Sequence, residues 1–339
     1  MKVLVVGCGS IGQRHAANVA ALATLGVCDT DPGVAEACAK QLGGQAFNRL
    51  HDALHWGPRA VVVSTPHRSH LEVASRAVAA GADVLIEKPL SHGLDGVAGF
   101  LDAAKAAGRR ALAVCNMRFH PGPASLREAL PAVGKVLFAR AHFGNYLPAM
   151  RPGRDYRELY AARRAEGGGV VLDAVHEIDY LTWLFGRVES VACHAAKLSD
   201  LDLDVEDHAL IALRHASGVA ASVELDYLRP RKSRGCEIVG TAGVLAWASD
   251  GKDPEHCTVR LFRNATGTWS DIADIAQVDT AQPYRDLMRA FLDELEHPGT
   301  TALASAADAA RVLATALGAL QSAGEGGAAR KPRYESEAS

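Results

Sequence analysis

Few features of this sequence commit it to a special environment. No apolar run is long enough to span a bilayer, and even AVAAGADVLI carries a glycine and an aspartate. There is no excess of positive charge: 36 Lys and Arg stand against 39 Asp and Glu, a formal charge of −3. That balance argues against nucleic acid or a membrane surface as a partner. No Cys-x-x-Cys pair occurs among the seven scattered cysteines (Cys8, Cys28, Cys38, Cys115, Cys193, Cys236 and Cys257). Their odd number and scatter favour reduced thiols in a cytoplasmic protein over a disulfide framework or a zinc site. No signal-peptide pattern follows Met1; the strand-like VLVVG does. No internal repeat is present. What remains is an ordinary globular composition, 48% hydrophobic and 22% charged, in 339 residues. That length is too great for one ordinary core and implies two domains.

The first third alternates. Apolar strands are expected at 2–6, 23–29, 58–65, 84–87 and 110–116, with helical spacing from about Gln13 to Leu22, in VAEACAKQL, in SHLEVASRAVAAG and in GVAGFLDAAKAAG. Strand and helix alternating at this pitch predict a doubly wound parallel sheet. A flavodoxin-like sandwich would share the pattern but needs no glycine fingerprint. Here Gly7-Cys8-Gly9-Ser10-Ile11-Gly12 follows the first strand and opens a helix. The first glycine suits a tight turn, the second leaves room for a pyrophosphate, and the third lets helix and strand approach. Asp29 ends the second strand, where a carboxylate can accept ribose hydroxyls and repel a 2′-phosphate. No base follows before Lys40, so NAD is favoured over NADP.

Three further stretches accompany this fingerprint: STPHRSH at 64–70, IEKPL at 86–90 and NMRFHPG at 116–122. With GGGVVLDAVHEIDYLTWLFG at 167–186, the set resembles the Gfo/Idh/MocA oxidoreductases, the glucose–fructose oxidoreductase and inositol dehydrogenase relatives. The resemblance covers about residues 1–320. It implies an N-terminal Rossmann domain (1–118), a C-terminal α/β domain with a large, mostly antiparallel sheet (119–323), and a polar, frayed tail (324–339). It makes Lys88 the lysine of the EKP signature, reaching the reacting oxygen beside the nicotinamide. Glu87 orients Lys88 or faces the cofactor, and Pro89 fixes the turn; the corresponding proline is often cis in the family, which the sequence alone does not show. Thr65, Pro66 and His70 are expected along the cofactor. Asn116 and Arg118 are expected to meet substrate.

In the second domain, RPGRDYRELYAARRAE at 151–166 holds five arginines and two tyrosines. One reading is a solvated excursion with local ion pairs. The other is a substrate-binding insertion in which Arg154 and Arg157, with Tyr146 and Tyr160, hold an anionic sugar derivative. The segment resembles an arginine-rich branch of the family, with Met150 where that branch often has tryptophan. After the three glycines, Asp173 and His176 are expected on one face of a single helix. His176 resembles the family's general acid/base, and Asp173 contacts substrate or sets the His176 tautomer. Glu177 and Asp179 are expected to cap or pair within that helix. No metal is expected, since Asp173, His176 and Glu177 lack a second cluster at metal spacing.

The reading is therefore an NAD-dependent dehydrogenase or reductase acting on a CH–OH group of a sugar, a cyclitol or, preferentially, an anionic sugar derivative. An NAD-retaining glycoside hydrolase and a non-catalytic ligand sensor are the alternatives. Strand-like runs through 188–262 with few helices to cover them imply a homodimer or homotetramer.

Overall fold

The computed structural model describes residues 1–252, 254–299 and 303–334. In chain order its elements begin with β1 (Lys2–Val6), α1 (Ser10–Ala20), β2 (Thr24–Cys28), α2 (Pro32–Leu42), β3 (Gln45–Phe47), α3 (Leu50–His55) and β4 (Ala60–Val63). α4 (His70–Ala79), β5 (Asp83–Ile86), α5 (Val97–Ala106) and β6 (Ala111–Ala113) follow. Next come α6 (Pro121–Ala129), β7 (Val136–Gly144), α7 (Val170–Asp173), α8 (His176–Phe185), β8 (Val188–Ala196), β9 (His208–His215) and β10 (Ala220–Asp226). The chain ends with β11 (Ser233–Gly240), β12 (Gly243–Ser249), β13 (Glu255–Arg263), β14 (Thr268–Val278), α9 (Gln282–Glu296), β15 (Ala304–Ser305) and α10 (Ala306–Gly324).

Two compact units result. The first comprises residues 1–116 and 284–310 of the described chain. Its sheet runs β15-β6-β5-β4-β1-β2-β3, parallel throughout except for the antiparallel pairing of β15 with β6. The order reverses between β1 and β4, the switch point of a Rossmann-like sheet. Val3, Leu4 and Val5 of β1 and all four residues of β4 are fully buried, which explains why both read as unbroken apolar runs. Asp31 caps α2 by accepting from the N–H groups of Gly33 (2.8 Å) and Val34 (3.3 Å), with Pro32 at the first helical position.

The second unit comprises residues 117–283 and 311–334. Its sheet has eight strands in the order β14-β13-β12-β11-β7-β10-β9-β8. All neighbours are antiparallel except β7 and β10. β9 alternates cleanly: Ala209, Ile211 and Leu213 are buried while Leu210, Ala212 and Arg214 are exposed.

Three expectations need correction. A single cut after residue 118 misses the return of 284–310 to the first unit, where β15 supplies the sheet edge. The tail is not frayed from 324 onward. Val191 and Arg330 exchange both backbone hydrogen bonds (2.8 and 2.7 Å), and the Tyr334 hydroxyl donates to the Val188 carbonyl at 2.6 Å. Residues 335–339 of that tail lie outside the described residues. Finally, β14 carries no expected strand pattern, because as an edge strand it is exposed on both faces except near its end.

Candidate active site

The glycine loop joins β1 to α1. Gly7 has φ +92°, and a side chain there would meet the Ser64 carbonyl oxygen at 2.6 Å. A side chain at Gly12 would meet the Gly7 carbonyl oxygen at 1.8 Å, so helix and turn touch. Gly9 differs. Its φ is −65°, open to any residue, and an added Cβ meets no atom of the chain within 4 Å. Neither backbone nor packing demands glycine there; the close approach of a ligand does. Ser10 opens α1, and the first turn of a helix, whose N–H groups have no partner four residues back within the helix, suits an anionic group. Asp29 is half-buried just past β2. Its Oδ2 accepts from the Cys8 N–H (2.7 Å) and its Oδ1 from the Asp31 N–H (3.0 Å), which fixes the carboxylate against the loop. Two buried polar atoms beyond strand ends of the same sheet, Thr65 Oγ1 and Asn116 Oδ1, have no protein partner. Open space at Gly9 and these orphaned atoms fit a dinucleotide.

Lys88 lies two residues beyond β5 and is half-buried. The Lys88–Pro89 peptide is cis. Glu87 faces the interior, 6% exposed, and meets His15 of α1, which is fully buried: Nε2 to Oε1 is 2.7 Å. The other oxygen of Glu87 accepts the Lys88 N–H at 2.9 Å. Burial alone would raise the Glu87 pKa. The hydrogen bond and charge of His15, the Lys88 charge and the Lys88 N–H outweigh it, and the carboxyl titrates below its ordinary range. His70 is also fully buried. Its Nδ1 lies 3.0 Å from the Pro89 carbonyl oxygen and its Nε2 2.8 Å from that of Thr65. Burial pushes its pKa down, against these two carbonyls and the Glu87 charge.

In the second unit the stretch expected as one helix is broken. α7 ends at Asp173, Ala174 has ψ +34°, and α8 restarts at His176. Asp173 and His176 therefore do not share a continuous helical face. His176 is the first residue of α8 and is half-exposed. The Tyr160 hydroxyl donates to Asp173 Oδ1, and the fully buried Tyr227 hydroxyl donates to Oδ2 at 3.2 Å. Burial, together with the charge of Asp173, drives the Tyr227 pKa far up, so that phenol stays a donor. Gly169 (φ +105°) passes so close to Glu206 that a Cβ would meet its carboxyl oxygen at 2.3 Å. That carboxyl accepts the Val171 N–H at 3.1 Å at the start of α7.

Glu177 and Asp179 do not pair within the helix. Fully buried Glu177 accepts from Arg234 Nε at 2.8 Å, and the guanidinium lies 4.5 Å from the centre of the Phe143 ring. Asp179 takes a two-bond fork from Arg118 (2.7 and 3.2 Å). Arg118 was expected to meet substrate; this buried pair holds its guanidinium instead. Nearby, His120 caps α6 by accepting the Gly122 N–H (3.1 Å) and places Nε2 3.2 Å from Glu255, which Lys232 also meets at 3.1 Å.

The arginine-rich segment is mostly turned on itself. Arg157 grips Asp155 through Nε and Nη2 (2.9 and 2.6 Å). This holds the Asp155 pKa down to about 2, with Arg157's side chain and backbone N–H as the leading causes. Arg163 donates to the Arg157 carbonyl (2.9 Å), and Arg164 donates to the backbone oxygen of Asp204 (2.9 Å). Arg154 and Tyr146 are exposed.

Residues 1–114 match the model of an oxidoreductase family's NAD-binding Rossmann fold, and residues 129–246 match the GFO/IDH/MocA C-terminal domain. A 1,5-anhydro-D-fructose reductase of Ensifer adhaerens is 31% identical over 277 residues, covering 80% of this chain and 79% of the relative. The chain belongs to the Gfo/Idh/MocA family. An inositol 2-dehydrogenase of Paracoccus denitrificans is 29% identical over 259 residues, 72% of this chain and 73% of the relative. In fold, the chain is similar to a levoglucosan dehydrogenase solved with NADH and levoglucosan, at a TM-score of 0.86, 19% identity and 98% and 99% coverage.

This Gfo/Idh/MocA protein is thus an NAD-dependent oxidoreductase with a Rossmann domain and a large mixed sheet. Among the described residues no helix is long and apolar enough to cross a membrane. Two expected ligand contacts change role. His70 is fully buried between backbone carbonyls, so it braces the loop rather than lining the cofactor. Arg157 is engaged by Asp155 rather than offered to substrate. Four residues escaped the sequence reading: His15, Arg234, Tyr227 and Glu206. His15 had a signal, an imidazole inside the apolar stripe Gly12, Ala16, Val19 of α1.

Proposed function

We propose that the protein is a dehydrogenase or reductase of a hydroxyl on a sugar, a cyclitol or an acidic sugar derivative. One observation carries the reading. Lys88 sits past the carboxyl end of β5, in the same sheet whose β1 and β4 ends carry the glycine loop and Thr65. Ligands of such sheets gather beyond the carboxyl ends at the switch point. NAD, when bound, accepts or returns a hydride. Lys88 then donates a hydrogen bond to the reacting oxygen and stabilises negative charge on it. His176 takes the hydroxyl proton in oxidation and returns it in reduction. Asp173, held by two phenols, presents Tyr160 to the substrate's hydroxyls rather than serving as a proton carrier. The names of the relatives, a reductase of an anhydro-sugar and inositol dehydrogenases, support a polyhydroxylated substrate. An acidic derivative is selected by Arg154, the member of the original pair that Asp155 does not hold.

The test is a screen of neutral polyols, aldoses and their acidic derivatives, followed as NADH formation. Lys88→Ala and His176→Ala each bind NAD as the parent does and lose about 10²–10⁴ in turnover, as for a removed acid–base group. Arg154→Ala lowers efficiency on an acidic sugar and leaves its neutral parent unchanged. Wild-type turnover in the His176 variant, with hydride transfer rate-limiting, refutes its role. A homodimer or homotetramer also belongs to the reading: the outer face of the second sheet exposes Leu210, and β14 exposes Trp269 and Ile272. Light scattering at micromolar concentration that finds only the monomer mass overturns it.

A further inference from the structure

Lys88 follows a carboxylate that neither solvent nor the substrate needs to touch. Glu87 is 6% exposed, and its partner His15 is wholly buried. Taking both groups out of water is costly, and one more cost is visible: Nδ1 of His15 is buried with no partner. A leucine in the apolar stripe of α1 would avoid both. Stability therefore does not account for the pair.

We infer that His15 is a positioning residue: by holding Glu87, it fixes the backbone and the charge beside Lys88. The inference rests on the role proposed for Lys88 above. The geometry is specific. His15 Nε2 takes one oxygen of Glu87 at 2.7 Å, which turns the other toward the Lys88 N–H at 2.9 Å. On the far side of the lysine, His70 of α4 lies 3.0 Å from the Pro89 carbonyl oxygen and ties the loop to Thr65 at 2.8 Å. The residues before and after Lys88 are thus each gripped by a buried histidine from a different helix. The His15 ring is itself fixed from α9: Tyr284 meets it edge-on at 5.9 Å between centroids, and Arg14 lies over Tyr284 at 4.8 Å. The charged or titratable groups facing Glu87 are then His15 from α1, His70 from α4 and Lys88 itself. His15 keeps Glu87 ionised and aimed at the backbone of Lys88.

The test uses the full-length enzyme with His15→Leu, His15→Gln, Glu87→Gln and Lys88→Ala. His15→Leu lowers kcat by about 10- to 100-fold, the cost of a small misplacement at a reacting centre, while NAD affinity stays within about twofold. KM for the substrate stays within about twofold, so the loss falls on kcat. His15→Gln, which returns an N–H near the Nε2 position, recovers most of kcat. Glu87→Gln lowers kcat as His15→Leu does. Should His15→Leu fail to fold, the kcat and KM of Glu87→Gln and of His15→Gln decide the matter. Wild-type kcat in His15→Leu or Glu87→Gln, with Lys88→Ala inactive, overturns the positioning role only. Wild-type turnover in Lys88→Ala overturns the catalytic reading and this inference together.

Discussion

In both units a buried carboxylate stands next to a side chain proposed to perform chemistry, yet the partners differ. In the first, Glu87 precedes Lys88 and meets one imidazole. In the second, Glu177 and Asp179 follow His176 on α8 and meet the guanidinium groups of Arg234 and Arg118. Arginine keeps its charge at every working pH and grips with a planar fork. It locks a whole helix but leaves nothing to adjust. An imidazole gives a single directed bond, and the second oxygen of Glu87 remains for the lysine's own backbone. The second unit fixes the direction of an element; the first fixes one residue at its end.

The largest effect that tests this contrast is on stability. Arg234→Ala takes the guanidinium from the buried Glu177 carboxylate and costs about 3–5 kcal/mol in urea unfolding; Arg118→Ala does the same through Asp179. Replacing Arg234 and Glu177 together by methionine is close to neutral for stability, and any loss of turnover that remains measures orientation of α8 alone. A cost below about 1 kcal/mol for Arg234→Ala breaks the comparison.

A pH effect comes next, again in the second unit. Burial pushes the Glu255 carboxyl up, but the His120 hydrogen bond and the Lys232 charge outweigh it and hold its pKa down to about 2, against an ordinary 4.5. Because the folded value is the lower one, this stabilisation is complete above about 4.5 and is lost as pH falls through about 2. Glu255→Gln therefore flattens the acid limb of the stability curve, measured by chemical unfolding at successive pH values. An unchanged acid limb refutes it.

The smallest effect belongs to the glycine loop. Gly9→Ala folds with an unchanged melting point, since its Cβ meets no atom of the chain, and weakens NAD about tenfold, some 1.4 kcal/mol. A clear drop in the melting point with unaltered NAD affinity gives Gly9 a structural role instead.

How legible each unit was follows from what its signals depend on. The glycine loop, Asp29 and the EKP stretch sit at the carboxyl ends of β1, β2 and β5, and local pattern alone places them on one edge of one parallel sheet. The resemblance supplied Lys88 and His176. What escaped were partners distant in sequence. Arg234 lies 57 residues from Glu177 and Tyr227 lies 54 from Asp173; nothing in the strand patterns around them announces a pairing. The break between α7 and α8 was hidden because VVLDAVHEIDYL keeps helical apolar spacing straight through it. The arginine run misled because charge count says nothing about geometry. Asp155 is two residues from Arg157 and engages it locally.

The return of residues 284–310 to the first unit has a consequence for anyone who would exchange parts between relatives. In connectivity the two units are interleaved: each is written in two pieces, 1–116 with 284–310 and 117–283 with 311–334. A fragment ending near Asn116 would lack the β15 edge of its sheet and the tyrosine that seats His15. Such a fragment would report a weakened cofactor affinity that belongs to the truncation. A functional chimera needs three splice points, near 116, 284 and 310, and evolution reshuffling these units by recombination faces the same triple junction.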